Sequence, residues 1–304
     1  MNHSPIIVGV DESDAAPRAL DLARELGAAC GAPCRLVHAV RSPWTGGPAP
    51  EAPLAEAFET AAVDAARLRI RAALTRHLPN ETFDGIDVRL GRTAVELNQA
   101  ADEADAQAIV IGGKRHGGFG RWFASSTGHG LARVADRPVL VSGPSTGPVR
   151  RVLAAVDFSD TGKAVLAVAQ EFASALQAEL RVISVIEPLP ATPGVTTIID
   201  YDEYYHWSEA QLATEVWPLL TYQRSDKIVR IGHPVETLLR ELTDWAADLV
   251  VLGSHGRNFV QRALLGSVSE TLLNQLPTSL LLVPPLRRAA KRVEPRGLEL
   301  ACAL

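Results

Sequence analysis

The feature that most constrains this chain is an internal duplication that spans nearly its whole length. The segment Ile6–Asp11 (IIVGVD) returns as Val152–Asp157 (VLAAVD), and Arg35–Val40 (RLVHAV) returns as Arg181–Ile186 (RVISVI). The two aspartates that end the first pair are 146 residues apart. Because solenoid repeats are only about 20 to 50 residues long, so long a period indicates two tandem domains. The length of 304 residues agrees with two domains that each bury a core.

The duplication also sets the expected domain boundaries. We assign residues 1–146 to a first domain and residues 147–285 to a second, because the segment 141–148 (VSGPSTGP) consists largely of turn residues. Residues 286–304 have no counterpart in the repeat and begin with four basic side chains, Arg287, Arg288, Lys291 and Arg292. We expect this tail to be solvated and poorly ordered.

Composition excludes several classes of protein. A hydrophobic content of 47% with 21% charged residues is typical of a globular protein, and a net charge of −5 gives no basic footprint for nucleic acid. No apolar run approaches the ~18 residues needed to span a membrane, and the amino terminus lacks the pattern of a secretion signal. The three cysteines, Cys30, Cys34 and Cys302, do not form a disulfide framework. We therefore expect a cytoplasmic protein with no membrane or nucleic-acid partner, in which Cys30 and Cys34 are structural.

Short apolar runs alternate with amphipathic helical patterns, which predicts an α/β fold. Each half is expected to be a doubly wound domain with a five-stranded parallel sheet in the order 3-2-1-4-5 and helices on both faces. The first half has strands near residues 6–10, 35–40, 87–90, 108–111 and 139–142, and the second near 152–156, 181–186, 227–231, 249–252 and 280–283. The first helix is predicted at 15–29 with Asp14 as its N-cap. The order places a ligand crevice between strands one and four.

The glycine segment after the fourth strand of the second half has the chemistry of a phosphate site. Gly253 and Gly256 let backbone N–H groups approach an anion closely, and Gly266-Ser267 begins a helix whose N–H groups and dipole favour the same anion. Asp157, at the end of the first strand, offers an acceptor for a ribose hydroxyl or a base amino group. Asp157 also has a simpler interpretation, as a cap for the helix that begins near Thr161.

These motifs, in this order, resemble those of the universal stress protein family, of which the chain looks like a tandem, two-domain member over residues 4–285. The spacing Gly253-x2-Gly256-x9-Gly266-Ser267 matches the nucleotide motif of that family. The resemblance implies a role in stress response, binding of ATP together with Mg²⁺, and adenine contacts through the backbone of Val185 or Ile186. It also implies self-association through the last strands of the sheets, either between the two domains of one chain or in a homodimer. The remaining expected site residues of the second domain are Arg257 and Val268.

The first domain departs from this pattern. Its loop from Gly112 to Gly117 is longer by about two residues than that of the second, and Ser125 replaces the final glycine. A side chain at that position lies close to the expected path of the phosphates, so the first site is degenerate. The expected nucleotide contacts of the first domain are the residues that retain the pattern, namely Asp11, Gly112, Gly117, Ser126 and Thr127. Lys114 and Arg115 add anion-binding side chains.

Three hypotheses about function follow from these residues. The first is an ATP-binding regulator in which the second domain holds the nucleotide. The alternative is a scaffold or small-ligand carrier with nucleotide binding lost or replaced in the first domain. An enzyme ranks third, because the phosphate loop, the dinucleotide turn and the nucleophile elbow are all missing and no nucleophile is paired with a base. We expect no catalytic residue and no metal-ligand set, although slow ATP hydrolysis is compatible with such a site. His255 is expected in a solvated loop.

Overall fold

The computed structural model describes residues 4–42, 44, 51–79, 82, 85–115, 122–145, 147–188, 201–254 and 265–285. The first half contains the strands β1 (Ile6–Gly9), β2 (Cys34–Val40), β3 (Asp87–Leu90), β4 (Ala108–Gly112), β5 (Lys114–Arg115), β6 (Trp122–Phe123) and β7 (Val139–Ser142). Its helices are α1 (Ala16–Cys30), α2 (Ala52–Leu74), α3 (Thr93–Glu103) and α4 (Ser126–Val134). The predicted tail at 286–304 lies outside the described residues.

The second half repeats the five principal strands and the four helices of the first. Its strands are β8 (Arg151–Ala155), β9 (Glu179–Ile186), β10 (Ser225–Ile231), β11 (Leu249–Gly253) and β12 (Ser279–Val283). Its helices are α5 (Asp160–Ala175), α6 (Tyr201–Glu215), α7 (Pro234–Asp244) and α8 (Ser267–Gln275), with a 3₁₀ turn at Trp217–Leu219. No helix in the described parts of the chain is both long enough and apolar enough to cross a lipid bilayer.

The strand order confirms the predicted doubly wound topology. The sheet order is β3-β2-β1-β4-β7 in the first half and β10-β9-β8-β11-β12 in the second, and all neighbours within each half are parallel. Each half is thus 3-2-1-4-5, with its switch point between the first and fourth principal strands. This places the ends of β1 and β4, and likewise of β8 and β11, at the edge where doubly wound proteins bind ligands.

The two halves form one ten-stranded sheet. The last strands β7 and β12 pair antiparallel, with Leu280 opposite Val141 and Leu282 opposite Val139, and all four side chains are buried. Pairing through the last strands is therefore found here between the two halves of a single chain. After β7 the chain remains close to the second half, since the Gly143 N–H donates to Ser279 Oγ at 3.1 Å.

Buried side chains on the two faces of the sheet form two cores. Because side chains alternate along a strand, Ile6 and Val8 of β1 pack towards α1, whereas Ile7 between them packs with residues of α3 and α4. The first core is covered by α1, α2, α5 and α6, and the second by α3, α4, α7 and α8. Helices on both faces explain why the strand sequences are nearly continuous apolar runs.

Two carboxylates from different halves bind the chain where it enters the second half. Glu25 of α1 accepts the Val149 N–H at 2.9 Å, and Asp248 accepts the N–H groups of Arg150 and Arg151 at 2.9 and 3.0 Å. Burial raises the pKa of the Glu25 carboxyl, and the negative charge of Asp248 raises it further, against the lowering effect of the Val149 hydrogen bond. The connection between the halves is therefore sensitive to the ionisation of Glu25.

One local prediction for the first half is corrected, and one element of it was not foreseen. The N-cap of α1 is Ala15 rather than Asp14, and it makes no side-chain capping hydrogen bond. The reason is that a turn closed by the Ala16 N–H and the Ser13 carbonyl occupies this stretch before the helix begins. In addition, the loop after β4 contains the short antiparallel pair β5 and β6, in which Lys114 lies opposite Phe123. The sequence pattern did not indicate this pair of strands.

Candidate functional site

In the second half, the ends of β8 and β11 and the start of α8 surround one cavity of about 340 Å³. Its lining includes six of the expected nucleotide contacts, Asp157, Val185, Gly253, Gly266, Ser267 and Val268. These residues come from segments up to 111 positions apart in the sequence, and the topology brings them together. The volume lies at the lower end of the range for small-molecule sites, about 300 to 1,000 Å³.

Asp157 is held in a fixed orientation by the turn that follows β8. Its Oδ1 accepts the N–H of Ser159 at 3.0 Å and the hydroxyl of Ser159 at 2.5 Å. Ser159 is the N-cap of α5, and its hydroxyl oxygen accepts the Gly162 N–H at 3.1 Å. Asp157 therefore supports the cap without being the cap, and its carboxylate lines the cavity.

The close packing at Gly162 explains why the carboxylate is so constrained. A Cβ atom added at Gly162 would lie 2.1 Å from the carbonyl oxygen and 2.5 Å from Oδ1 of Asp157. No side chain larger than hydrogen fits there without movement of the backbone. The first turn of α5 is thus packed directly against the aspartate.

Hydrogen bonds also fix both ends of the glycine loop. The Ser254 N–H donates to the Val283 carbonyl at 2.9 Å, and the Gly266 N–H donates to the Ser254 carbonyl at 3.0 Å. The N-cap of α8 is Gly266, which brings no side chain to the start of the helix. The first N–H groups of such a helix lack intrahelical partners, so this end can bind an anion. Gly256, Arg257 and His255 lie outside the described residues.

Several residues of the site were missed by the sequence analysis. Ser269 is buried, and its hydroxyl donates to the Gly253 carbonyl at 2.6 Å, which joins α8 to the end of β11. Glu187 and Thr161 also line the cavity. The position of Ser269 in the first turn of α8 was a usable signal, since short hydroxyl side chains there commonly bond to nearby backbone groups.

Val185 and Ile186 have different surroundings. Val185 lines the cavity, whereas Ile186 is buried and is not among its lining residues. The carbonyl of Ile186 accepts the Gly232 N–H at 3.1 Å. This difference follows from the alternation of side chains along β9.

Aromatic side chains of α6 pack next to the turn that follows β8. Trp207 contacts Phe158 edge to face, with ring centroids 5.8 Å apart, and stacks on Tyr204 at 6.4 Å. Phe158 directly follows Asp157 in the sequence, so the aromatic residues pack next to the aspartate turn. Tyr205 contacts Tyr204 at 5.8 Å; of Tyr201 only the helical backbone is described.

The corresponding region of the first half differs in geometry. Asp11 makes the same turn, since its Oδ1 accepts the N–H and the hydroxyl of Ser13, but its Oδ2 lies 3.5 Å from Lys114 Nζ. A Cβ atom at Gly112 would lie 2.7 Å from the Cβ of Ala15, so the turn before α1 packs directly on the glycine. The equivalent pair in the second half, Thr161 and Gly253, lines the cavity instead.

The expected residues of the first site are accordingly separated. Ser126 and Thr127 line a cavity of about 580 Å³ whose lining includes neither Asp11 nor Gly112. Gly117 lies outside the described residues, as does His116, and His129 contacts the Ser125 carbonyl through Nδ1 at 3.2 Å. In the described stretches of both halves, no group of three or more His, Cys, Asp or Glu residues is arranged to hold a metal ion.

Comparisons with known proteins give the same assignment for both halves. A profile of the universal stress protein family matches residues 3–142 and again residues 148–284. A universal stress protein of Mycolicibacterium smegmatis is 28% identical over 297 residues, which cover 92% of this chain and 97% of the relative. One from Thermus aquaticus is 31% identical over 134 residues, covering 44% of this chain and 98% of the relative. A solved universal stress protein from Archaeoglobus fulgidus shares the fold, with a TM-score of 0.59 at 17% identity, over 94% of this chain and 100% of its own.

Proposed function

The chain belongs to the universal stress protein family, and from this premise we propose that it is an ATP-binding regulator of the stress response whose second domain holds the nucleotide. The observation that carries the proposal is the cavity in which Asp157, Gly253, Gly266 and Ser267 meet. A backbone-lined helix N-terminus faces a carboxylate across a volume suited to a small molecule.

Each part of ATP has a complementary group in this cavity. The phosphates lie at the start of α8, where the N–H groups and the Ser267 hydroxyl donate to them. Asp157 accepts a hydrogen bond from a ribose hydroxyl, and Val185 packs against the base. Glu187, which lines the same cavity, accepts a hydrogen bond from the exocyclic amino group of adenine. Mg²⁺ enters bound to the phosphates, because it keeps several waters and prefers phosphate oxygens with few protein ligands.

We propose binding rather than turnover as the purpose of the site. Catalysis of phosphoryl transfer needs groups that position a nucleophile and stabilise developing charge. In the described lining of the cavity, the ionisable side chains are Asp157 and Glu187. ATP held in this way changes the conformation or association of the protein, and hydrolysis at such a site is slow.

The experiment that tests this proposal measures ATP affinity by isothermal titration calorimetry for the wild type and Ser267→Glu. Ser267 is exposed, so the substitution is tolerated by the fold, which circular dichroism verifies. A carboxylate about 4 Å from a phosphate is repelled by ~1 to 4 kcal/mol, depending on the local dielectric constant, so affinity falls about fivefold to 1,000-fold. The matched control is Asn274→Glu, the same charge change at the other end of α8, which leaves affinity unchanged.

Equal affinities of the wild type and Ser267→Glu would refute the assignment of the phosphates to α8. GTP, titrated in parallel, tests the assignment of adenine. It binds more weakly than ATP if Glu187 recognises the exocyclic amino group, because guanine has a carbonyl oxygen at that position.

For the first domain we propose that the aspartate cleft does not bind ATP in this manner. Lys114 lies across from Asp11 at 3.5 Å, and Ala15 packs on Gly112. Both contacts involve the positions that correspond to Asp157 and Gly253, where we place the ribose and the phosphates in the second domain. The expected stoichiometry at the family cleft is therefore one ATP per chain, and two equivalent ATP sites would contradict it.

A further inference from the structure

A cavity of about 310 Å³ lies where the two halves of the chain meet, between α1 and the connection from β7 to β8. We call it the junction cavity and define it by six of its lining residues, Arg18, Leu22, Glu25, Ser142, Asp248 and Ser279. Ser142 ends β7 and Ser279 begins β12, the two strands that pair antiparallel. The junction cavity therefore lies at the boundary between the halves, and not at the switch point of either sheet.

Two polar groups in the wall of the junction cavity lack hydrogen-bond partners. Ser142 is 2% exposed, and its hydroxyl bonds to no residue that the structure describes. Nη1 of Arg18 is also buried and has no acceptor within those same stretches of chain. Such an arrangement is unfavourable, because both groups bond to water in the unfolded chain. A ligand with an acceptor oxygen would supply a partner to each.

The guanidinium group of Arg18 is held in place by an aromatic ring. Its Cζ lies 4.1 Å from the ring centroid of Trp122, so the face of the guanidinium group is covered. The N–H groups at its edge remain directed outwards, and their planar arrangement matches the two oxygens of a carboxylate. Together with the hydroxyl of Ser142, this makes one end of the junction cavity suitable for a carboxylate.

The other end of the junction cavity contains two carboxylates with oxygens to spare. Glu25 accepts the Val149 N–H through Oε1, and Asp248 accepts the N–H groups of Arg150 and Arg151 through Oδ2. These bonds leave the second oxygen of each carboxylate available as an acceptor. The charge of Asp248 is one of the causes that raise the pKa of Glu25, so the two groups are close enough to repel each other. An ammonium group that donates to both relieves this repulsion.

The face of α1 sets the distance between these two ends. Arg18, Leu22 and Glu25 are spaced i, i+4 and i+7 and so lie on one face of the helix. A rise of 1.5 Å per residue places the first and last of them ~10 Å apart along the axis, with the leucine between them. Asp21 also lines the cavity, but it is paired with Arg24 at 3.5 Å. The wall is thus cationic, then apolar, then anionic.

We propose that the junction cavity binds a small ω-amino acid, a ligand with a carboxylate and an ammonium group joined by a short chain of methylenes. The carboxylate bonds to Arg18 and Ser142, the methylenes pack against Leu22, and the ammonium group bonds to Glu25 and Asp248. Because Asp248 belongs to the second half and the other four residues to the first, the bound ligand joins the two halves. The proposal is independent of the assignment of ATP to the second domain.

The ligand class is tested by calorimetric titration of the full chain with ω-amino acids of increasing length, namely glycine, 4-aminobutyrate and 6-aminohexanoate. Butyrate and butylamine each provide only one of the two charged ends. We expect 4-aminobutyrate and 6-aminohexanoate to bind at least tenfold more tightly than glycine, butyrate or butylamine, because each of the latter leaves one end of the cavity without a partner. Equal affinities across the series, or no binding of any probe at millimolar concentration, would overturn the proposal.

Ser142→Ala separates a ligand contact from a structural role. Because the hydroxyl has no partner in the described chain, its removal is not expected to lower the Tm, whereas the affinity for 4-aminobutyrate falls about tenfold or more. The matched control is Ser184→Ala, since Ser184 is also buried in a strand but lines neither the junction cavity nor the cavity of the second half. A lower Tm with unchanged affinity would contradict the assignment of Ser142.

The cationic end is tested with Arg18→Gln, which is expected to weaken 4-aminobutyrate by about tenfold or more. Arg67→Gln is the control, because it makes the same charge change at an exposed position of α2 that does not line the cavity. Unchanged affinity in Arg18→Gln, or an equal loss in Arg67→Gln, would refute the carboxylate site. ATP titrated into the same variants is expected to bind as it does to the wild type, so failure of this proposal and failure of the ATP assignment give different results.

Discussion

Replacing Gly162 with alanine tests how the strand-end aspartate of the second domain is held. The new methyl would lie 2.1 Å from the Asp157 carbonyl oxygen and 2.5 Å from its Oδ1. Contacts that short do not occur, and both atoms are close to the backbone, so the start of α5 must move away from the end of β8. The substitution therefore changes the stability of the domain and the position of the carboxylate together.

The stability change is the difference of two effects. Forcing an extra methyl into a packed position costs about 1 to 3 kcal/mol, and alanine regains about 0.5 to 1 kcal/mol relative to glycine within a helix. The midpoints of the two ranges give a net loss of about 1 kcal/mol, and the upper limit is about 2.5 kcal/mol, which lowers the Tm of a domain of this size by roughly 3 to 9 °C. If the aspartate loses one hydrogen bond to ATP, affinity falls about 10-fold to 100-fold.

Differential scanning fluorimetry and calorimetric titration of ATP measure the two effects. Gly147→Ala is the matched control, because a methyl at Gly147 would meet no atom within 4 Å; it changes neither Tm nor affinity. A Gly162→Ala protein as stable as the wild type would show that α5 is not packed against Asp157 as described. If the variant is destabilised but its ATP affinity is unchanged, Asp157 does not contact the nucleotide.

Three further predictions concern the cap of α5, the connection between the halves, and the thiols. Ser159→Ala removes the acceptor of the Gly162 N–H and is expected to cost about 0.5 to 2 kcal/mol in urea unfolding; a neutral result would contradict the cap. Because the pKa of Glu25 is raised above its ordinary value of 4.5, the folded state binds its proton more tightly, and stability falls as pH rises from that value through the folded pKa. Glu25→Gln abolishes this decline, which is measured as the free energy of unfolding at a series of pH values. If the pH dependence of the variant equals that of the wild type, Glu25 is not the group responsible. Burial raises the pKa of both Cys30 and Cys34, so in a Cys302→Ser protein we expect iodoacetamide to react more slowly with them at pH 8 than with free cysteine, and equal rates would refute this.

The fold was predictable because its strands are buried on both faces. The segments Ile6–Gly9 and Leu249–Gly253 are apolar almost throughout and each ends on a glycine, so both the strand and the turn after it could be recognised in the sequence. Because the sequence is duplicated, each principal strand and helix could be identified in both halves. The strand order then followed from the rules for doubly wound sheets.

The details that escaped prediction depend on contacts between distant residues. Strands β5 and β6 have two residues each, too short for any periodic signal, and Lys114 reaches Asp11 from more than 100 positions away. The sequence analysis identified residues that belong to a motif and missed residues that are close to each other only in the folded structure.

The antiparallel junction between β7 and β12 determines how the two domains can influence each other. Each half is parallel within itself and the junction is antiparallel, so the carboxyl ends of the strands lie at one edge of the ten-stranded sheet in the first half and at the other edge in the second. The cavity of the second domain and the equivalent edge of the first therefore cannot share a ligand, and any coupling between them has to pass through the protein. Helix α8 provides a direct route: its first residue lines the cavity of the second domain, while the carbonyl of Leu273 in its last turn accepts the Ala124 N–H of the first domain at 2.6 Å. Leu276, directly after the helix, packs so close to Gly113 that a Cβ atom there would lie 2.2 Å from its side chain. We therefore expect a shift of α8 that follows ligand binding to displace the neighbouring part of the first domain, because close-packed interiors transmit small displacements.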